Sequence, residues 1–259
     1  MHSNNKEDLL SKIHANGFAV IENVLDHEFI VKIKDELNLA IQQEAKYHED
    51  HNYQDYGMVL LCSLYNHSFI KLFDNKRLIE PFNEILGEGC IVYAYTSSSM
   101  PPNSKNYSAR IHKDCPRMIN GYITNIGATI LLDDFTEENG ATWFLPNSHQ
   151  SVEAPTESYF YENADRLVAK AGSVWYFDAR LWHAGGKNKT DQWRHALTIN
   201  MCRPWMKQRV DIPRAMMDME LGDVSQQALQ KLGFHTQVPA NYDEYYAPPE
   251  KRKYTQKAE

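Results

Sequence analysis

Gly172-Ser-Val-Trp-Tyr-Phe-Asp178 is followed by Trp182-His183-Ala184-Gly185-Gly186 and, after a polar loop, by Arg194-His-Ala-Leu-Thr-Ile-Asn200. The first run reads as a turn and then a short apolar strand buried on both faces. The last alternates, which puts Arg194, Ala196, Thr198 and Asn200 on one face. His183 and Arg194 are therefore expected on neighbouring strands looking into one cavity. Upstream stands His112-Lys113-Asp114. Residues i and i+2 of a strand share a face, so His112 and Asp114 can hold one ion while Lys113 points away. The third ligand must then come from a distant strand facing the first, and His183 is the candidate. Two imidazoles and one carboxylate form the set that holds Fe(II) on one face of an octahedron, leaving three positions for a co-substrate and O2. In a chain with 11 histidines a bare His-x-Asp triplet carries little weight. Its weight comes from the strands around it.

Three further stretches accompany these motifs: Gly17-Phe-Ala-Val-Ile-Glu-Asn-Val-Leu25, Leu131-Leu-Asp-Asp-Phe-Thr-Glu-Glu-Asn-Gly140, and Ala141-Thr-Trp-Phe-Leu-Pro-Asn-Ser-His149. In this order, from about residue 10 to 205, they resemble the phytanoyl-CoA dioxygenase family of Fe(II)/2-oxoglutarate oxygenases. The first matches the family's opening strand, and the next two its central hairpin. The resemblance implies a mainly β fold with flanking helices, a double-stranded β-helix of the cupin-like jelly-roll type. It makes His112, Asp114 and His183 the iron ligands and the catalytic set. Arg194 would pair with the distal carboxylate of 2-oxoglutarate, a task suited to a planar guanidinium that stays charged and grips with two parallel hydrogen bonds. Thr129 falls where the family places a residue lining the co-substrate. Gly185 departs from the pattern: many members have a hydroxyl residue two places after the distal histidine, and Thr129 or Thr198 is the candidate substitute.

The chemistry so implied consumes O2 and 2-oxoglutarate, releases succinate and CO2, and hydroxylates a small molecule; desaturation, epoxidation and ring closure use the same triad. Iron halogenases of this architecture carry Gly or Ala at the carboxylate position, so Asp114 argues against halogenation. Two readings from other classes stay open at this level. One is a zinc hydrolase or isomerase on the same ligands, against which Arg194 and the motif order count. The other is a non-catalytic barrel that only binds, against which the complete triad counts.

The bulk properties set outer bounds. With 259 residues, 42% of them apolar, the chain suffices for one domain. Within it we expect helical support over about 1–90, the jelly-roll core over about 91–205, and a C-terminal helix and tail over about 206–259. A net charge of −7 speaks against nucleic acid as a partner. Cys62, Cys90, Cys115 and Cys202 are scattered without a CxxC pair. With no apolar run of membrane length and no signal-peptide core, this points to a reducing, cytoplasmic setting. A monomer or homodimer acting on a small-molecule substrate is expected.

Local signals place the remaining elements. Asp26 should cap a helix whose apolar positions run from Phe29 to Ile41 at a 3.6-residue period. The polar stretch from Glu44 to Tyr56, with His48 and His51, reads as a loop at the mouth of the barrel rather than a metal pair. A helix is expected over about Arg77 to Leu86, ended by Gly87, with strands dominating from Cys90 to Arg203. Ser225 to Leu232 reads as a helix closed by Gly233. Beyond it, Tyr242, Tyr245, Tyr246, Pro248 and Pro249 form a strap, and Lys251 to Glu259 a frayed end. For the prime substrate the candidates are Arg117 as an anion contact and Tyr122 and Trp182 as pocket walls. Each has an alternative as a loop brace or as core. The acidic balance, with no obvious basic cluster, favours a small metabolite or natural-product intermediate over a CoA thioester.

Overall fold

The computed structural model describes residues 3–50 and 57–252. In chain order its elements are α1 (Ser3–Asn16), β1 (Phe18–Ile21), α2 (His27–Asp50), α3 (His67–Lys71), α4 (Lys76–Leu86), β2 (Ile91–Ser97), β3 (Asn125–Leu131), β4 (Trp143–Phe144), α5 (Glu157–Asn163) and β5 (Asp165–Arg166). They continue with β6 (Val174–Asp178), β7 (His183–Ala184), β8 (Ala196–Cys202), α6 (Ile212–Ala215), α7 (Gln226–Leu232) and α8 (Tyr242–Tyr245). Two antiparallel sheets form, one of five strands in the order β1-β6-β3-β8-β2 and one of three in the order β5-β4-β7. A further rung between His112 and His183 widens the smaller sheet. With helices against the outer face of the larger sheet, this is the jelly-roll that the sequence led us to expect.

The larger sheet is buried on both faces, and the period of two sorts its residues. Val174 and Tyr176 of β6, Ile126, Ala128 and Ile130 of β3, and Leu197, Ile199 and Met201 of β8 join the main core. There they meet Ile13 of α1, Ile33 and Leu37 of α2, Phe82 of α4 and Leu232 of α7. The intervening positions face the smaller sheet: Trp175, Phe177, Leu131 and Ala196 form a second cluster with Phe144 and Leu181. Tyr176 pins α4 to this scaffold, its hydroxyl donating to the Leu78 carbonyl at 3.0 Å and its ring edge-on to Phe82. Lys34 of α2 pairs with Asp133 at 2.5 Å, and Asp133 also accepts the His195 N–H at 2.7 Å, tying the longest helix to the end of β8.

The helix ends follow the expected chemistry. Asp26 accepts the Phe29 N–H at 2.8 Å, Asn75 caps α4 before Gly87 ends it at φ 88°, and Ser225 and Gly233 bound α7. Several expectations fail. α2 does not stop near Ile41 but runs to Asp50, so Glu44 to Asp50 is helix, with Glu44 accepting from Tyr65 Oη and the Leu60 N–H; His51 lies outside the described residues. Strands do not dominate the whole of 90–203, because 98–124 contributes only isolated bridges. The stretches 131–140 and 141–149 are not a hairpin. β3 belongs to the larger sheet and β4 to the smaller, and the chain between them crosses over. The expected frayed end begins with a short 3-10 turn at Pro249–Lys251, and 253–259 lie outside the described residues. No described helix is long and apolar enough to cross a membrane.

Gly127 links scaffold and site. A Cβ built there would meet Phe177 Cζ at 2.2 Å, and Phe177 in turn packs edge-on against the His183 ring at 5.1 Å. Gly127→Ala should therefore overpack the second cluster and cost about 1–3 kcal/mol, read as a lowered denaturant midpoint at unchanged slope. An unchanged midpoint would show that the Phe177 ring has room to move.

Candidate metal centre

His112 and His183 stand directly opposite one another, each donating its backbone N–H to the other's carbonyl at 2.9 and 3.0 Å. A pair exchanging both bonds puts its side chains on the same face, and the two rings lie 4.2 Å apart centre to centre. The second histidine is thus a hydrogen-bonded neighbour of the first, not a residue facing it from a distant strand. Asp114 closes the set: its Oδ1 is 3.6 Å from His112 Nε2 and 3.9 Å from His183 Nε2, and the three donor atoms lie within 4.8 Å of one another.

Each imidazole is held in the same way. His112 Nδ1 lies 2.8 Å from the Arg110 carbonyl and His183 Nδ1 lies 2.9 Å from the Leu181 carbonyl, in both cases two residues back. A carbonyl only accepts, so Nδ1 carries the proton and Nε2 presents its lone pair. Burial, with the His183 ring alongside, pushes His112 down to about 4 against the pull of Asp114, which keeps it neutral and able to ligate at physiological pH. Asn200 donates Nδ2 to Asp114 Oδ2 at 3.2 Å and accepts from Asn125 at 3.1 Å, so Oδ1 is the oxygen left for an ion. This donor set fits a divalent metal with open positions.

The triad lies in a cavity of about 400 Å³ whose wall also includes Thr129, Thr198, Asn200 and Arg194. Thr129 and Thr198 sit opposite each other on β3 and β8. Arg194 and His183 do share this cavity, but from different sheets, since Arg194 leads into β8 through a bridge to Met100. The Arg194 side chain is buried. Nη1 donates to the Gly140 carbonyl at 2.9 Å, Nη2 to the Ser98 carbonyl at 2.8 Å, and the guanidinium lies over the Phe135 ring. Burial pushes it down to about 9, opposed by Asp133, and it stays cationic at neutral pH. The Asn139-Gly140 turn thereby gains a purpose. Asn139 Oδ1 accepts the Thr136 N–H, and Gly140 adopts φ 84° with no room for a Cβ beside the Gly186 carbonyl, which delivers its own carbonyl to Arg194.

Gly185 has a local explanation. A Cβ there would come within 2.5 Å of Ser108 Oγ, so a hydroxyl from another segment fills the space that a side chain at 185 would need. Ser108 Oγ donates to Asn106 Oδ1 at 2.6 Å, and Thr198 Oγ1 to Ser98 Oγ at 3.0 Å. Ser108 and Ser98 were missed in the sequence because serines in loops carry no pattern. Asn125 and Asn200 had a signal, an amide inside a buried strand. Lys113 does not leave the cavity altogether: it contributes to the wall, while its Nζ donates to the Ser151 carbonyl at 2.5 Å and sits over Trp182. The substrate candidates move. Arg117, Tyr122 and Trp182 are absent from the cavity wall, Tyr122 lying under Arg203 instead, and Arg110 and Arg209 line it in their place.

Fold and donor set together define a jelly-roll protein with a two-histidine, one-carboxylate centre. The family model for phytanoyl-CoA dioxygenase matches residues 13–196, and the chain belongs to that family, a family of oxidoreductases. Similar relatives include uncharacterized protein Rv1501 of Mycobacterium tuberculosis, 31% identical over 92% of this chain and 90% of its own. Dioxygenase FUM3 of Gibberella moniliformis is 29% identical over 45% of this chain and 38% of its own. Among solved structures, the nickel complex of the non-heme monooxygenase ThoJ shares the fold at TM-score 0.63 and 18% identity, covering 78% of this chain and 80% of that one.

Metal binding tests the centre directly. His183→Ala should abolish high-affinity Fe(II) binding measured anaerobically by calorimetry. Asn200→Ala, which frees Asp114 to turn and leaves the Asn125 amide without its acceptor, should weaken it roughly 10- to 100-fold. Full affinity in His183→Ala would mean that the third ligand is misassigned.

Proposed function

We propose that this chain is an Fe(II)- and 2-oxoglutarate-dependent dioxygenase that hydroxylates a small molecule. The observation that carries the reading is a buried cation with donors to spare on the wall of the metal cavity. Arg194 offers five N–H groups; two reach backbone carbonyls, and Nε is buried with no partner. Trp175 Nε1, on the same wall, is a second buried donor without a partner. Buried donors are nearly always satisfied, and a buried charge is costly unless paired. A dicarboxylate spanning the metal and Arg194 would meet both needs at once.

In this reading His112 and His183 lend their Nε2 lone pairs, and Asp114 contributes one negative charge, aimed by Asn200. Arg194 grips the far carboxylate through charge-assisted bonds, with the hydroxyls of Thr198, Ser98 and Thr129 nearby as further contacts. Phe177 and Trp175 close the inner wall against water. Bound iron supplies the O2 chemistry, in which 2-oxoglutarate is oxidised to succinate and CO2 as one oxygen atom enters a C–H bond of the substrate. Asp114 fills the place that a halide would take, which favours hydroxylation over halogenation.

Purified protein with Fe(II), ascorbate and O2 should convert 2-oxoglutarate to succinate slowly even without prime substrate. Arg194→Ala should raise the KM for 2-oxoglutarate by roughly 30-fold or more, the equivalent of about 2 kcal/mol for a buried charge-assisted contact, while Fe(II) affinity changes little. Arg194→Lys should recover only part of this, since a point charge lacks the fork. Succinate no higher than in an iron-only control would refute the activity, and an unchanged KM in Arg194→Ala would place the co-substrate elsewhere.

A further inference from the structure

The cavity wall carries a charge opposite to that of the chain. The whole chain is at −7, yet the ionisable residues lining this cavity include Arg110, Lys113, Arg194 and Arg209 against a single carboxylate, Asp114. Lys113 is spoken for, its ammonium bonded to the Ser151 carbonyl. If the inner cavity is filled as proposed above, its charges cancel: Asp114 and a 2-oxoglutarate dianion balance a ferrous ion and Arg194. Arg110 and Arg209 are then left over. Neither is paired with a carboxylate among the described residues, and both are exposed where the cavity opens to solvent.

Arg110 is fixed relative to the metal centre by two contacts. Its carbonyl is the acceptor that orients His112, and its guanidinium stacks on the Tyr107 ring at 3.8 Å, which restrains the side chain. A group bound to Arg110 is therefore held a short way from the ligand set. Arg209 arrives from the segment after β8, its N–H donating to the Tyr93 carbonyl at 2.9 Å. The same wall also carries an apolar share, Met58, Leu60, Tyr93 and Ala94. The two arginines are far apart in sequence, so a search for basic runs passes over them.

We infer that the prime substrate is anionic, carrying a carboxylate or phosphate that docks on Arg110 and Arg209 while an apolar body reaches inward past Met58 and Leu60 toward the metal. The anion fixes which carbon of the body is presented to the oxidising centre. This assigns Arg110 and Arg209 to substrate selection and leaves Arg194 to the co-substrate.

The test uses three six-carbon probes that differ in head group: hexanoate, hexyl phosphate and hexanol. Each is titrated calorimetrically into the protein alone and into the protein holding Ni(II) and 2-oxoglutarate, which occupy Arg194. Both anions should bind at least tenfold more tightly than hexanol. Arg110→Ala and Arg209→Ala should each weaken anion binding about three- to fivefold, as suits exposed charges, and together about tenfold, with hexanol unchanged. Raising the salt should shrink the preference. The ratio of hexyl phosphate to hexanoate affinity identifies the head group, and Arg117→Ala should change nothing. Hexanol binding as tightly as the anions, no binding of any probe by wild type, or an undiminished preference in the double variant would overturn the inference. Failure of Ni(II) or 2-oxoglutarate to bind would instead count against the proposed activity, and the titrations of the protein alone would still decide the role of the two arginines.

Discussion

His112 and His183 exchange both of their backbone hydrogen bonds, and the geometry of the site depends on that rung. A directly paired couple on adjacent antiparallel strands must project to the same face, and a slip of one residue would send one ring to the other side. The neighbouring pair Phe144 and His183 locks the register from the opposite edge, with Phe144 packed into the cluster behind the site. Each ring is then turned by a carbonyl two residues earlier in its own segment. Two ligands are thus placed almost wholly by backbone. Only Asp114 needs help from a side chain, and it receives that help through Asn200 and Asn125 of the opposite sheet.

The opposite sheet serves two masters. Its outward positions are the apolar residues that hold the helices. Its inward positions change along the strands from apolar, at Ala196 and Leu131, to polar, at Thr198, Asn200 and Thr129. Polar groups inside a sheet buried on both faces are costly, and not all are satisfied: Arg194 Nε, Trp175 Nε1 and Asn125 Oδ1 have no partner. Local rules broken in this way, beside a cavity, mark the place where the structure is arranged for a ligand rather than for stability.

Much of this was legible because it rests on short-range rules. The alternation from Arg194 to Asn200 and the caps at Asp26, Gly87, Ser225 and Gly233 follow from periodicity and turn chemistry, whereas His112 and Asp114 converge although His112 alone makes a strand-type bridge and Asp114 lies in a bend. Pairing partners were not legible. Which strand lies beside His112, and whether 131–149 folds back on itself or crosses between sheets, depends on closure of the whole roll. Helix α2 was read too short because its last turns, Glu44 to Asp50, are polar, and their place is set in part by contacts of Glu44 with Tyr65 and the Leu60 N–H. The cavity mouth was misread for a similar reason. Arg117 lies near the triad in sequence but off the wall, whereas Arg110 and Arg209 are brought there by the fold.

The central claim is that His112, Asp114 and His183 would hold one metal ion in the cavity that Arg194 also lines. It is tested most directly by adding 2-oxoglutarate to the Fe(II)-loaded protein without oxygen and recording the visible spectrum. Chelation through the keto oxygen and a carboxylate should produce a weak charge-transfer band at one equivalent of iron, lost in His183→Ala and shifted to higher 2-oxoglutarate concentration in Arg194→Ala. No band in wild type, or the same band in His183→Ala, would contradict the account.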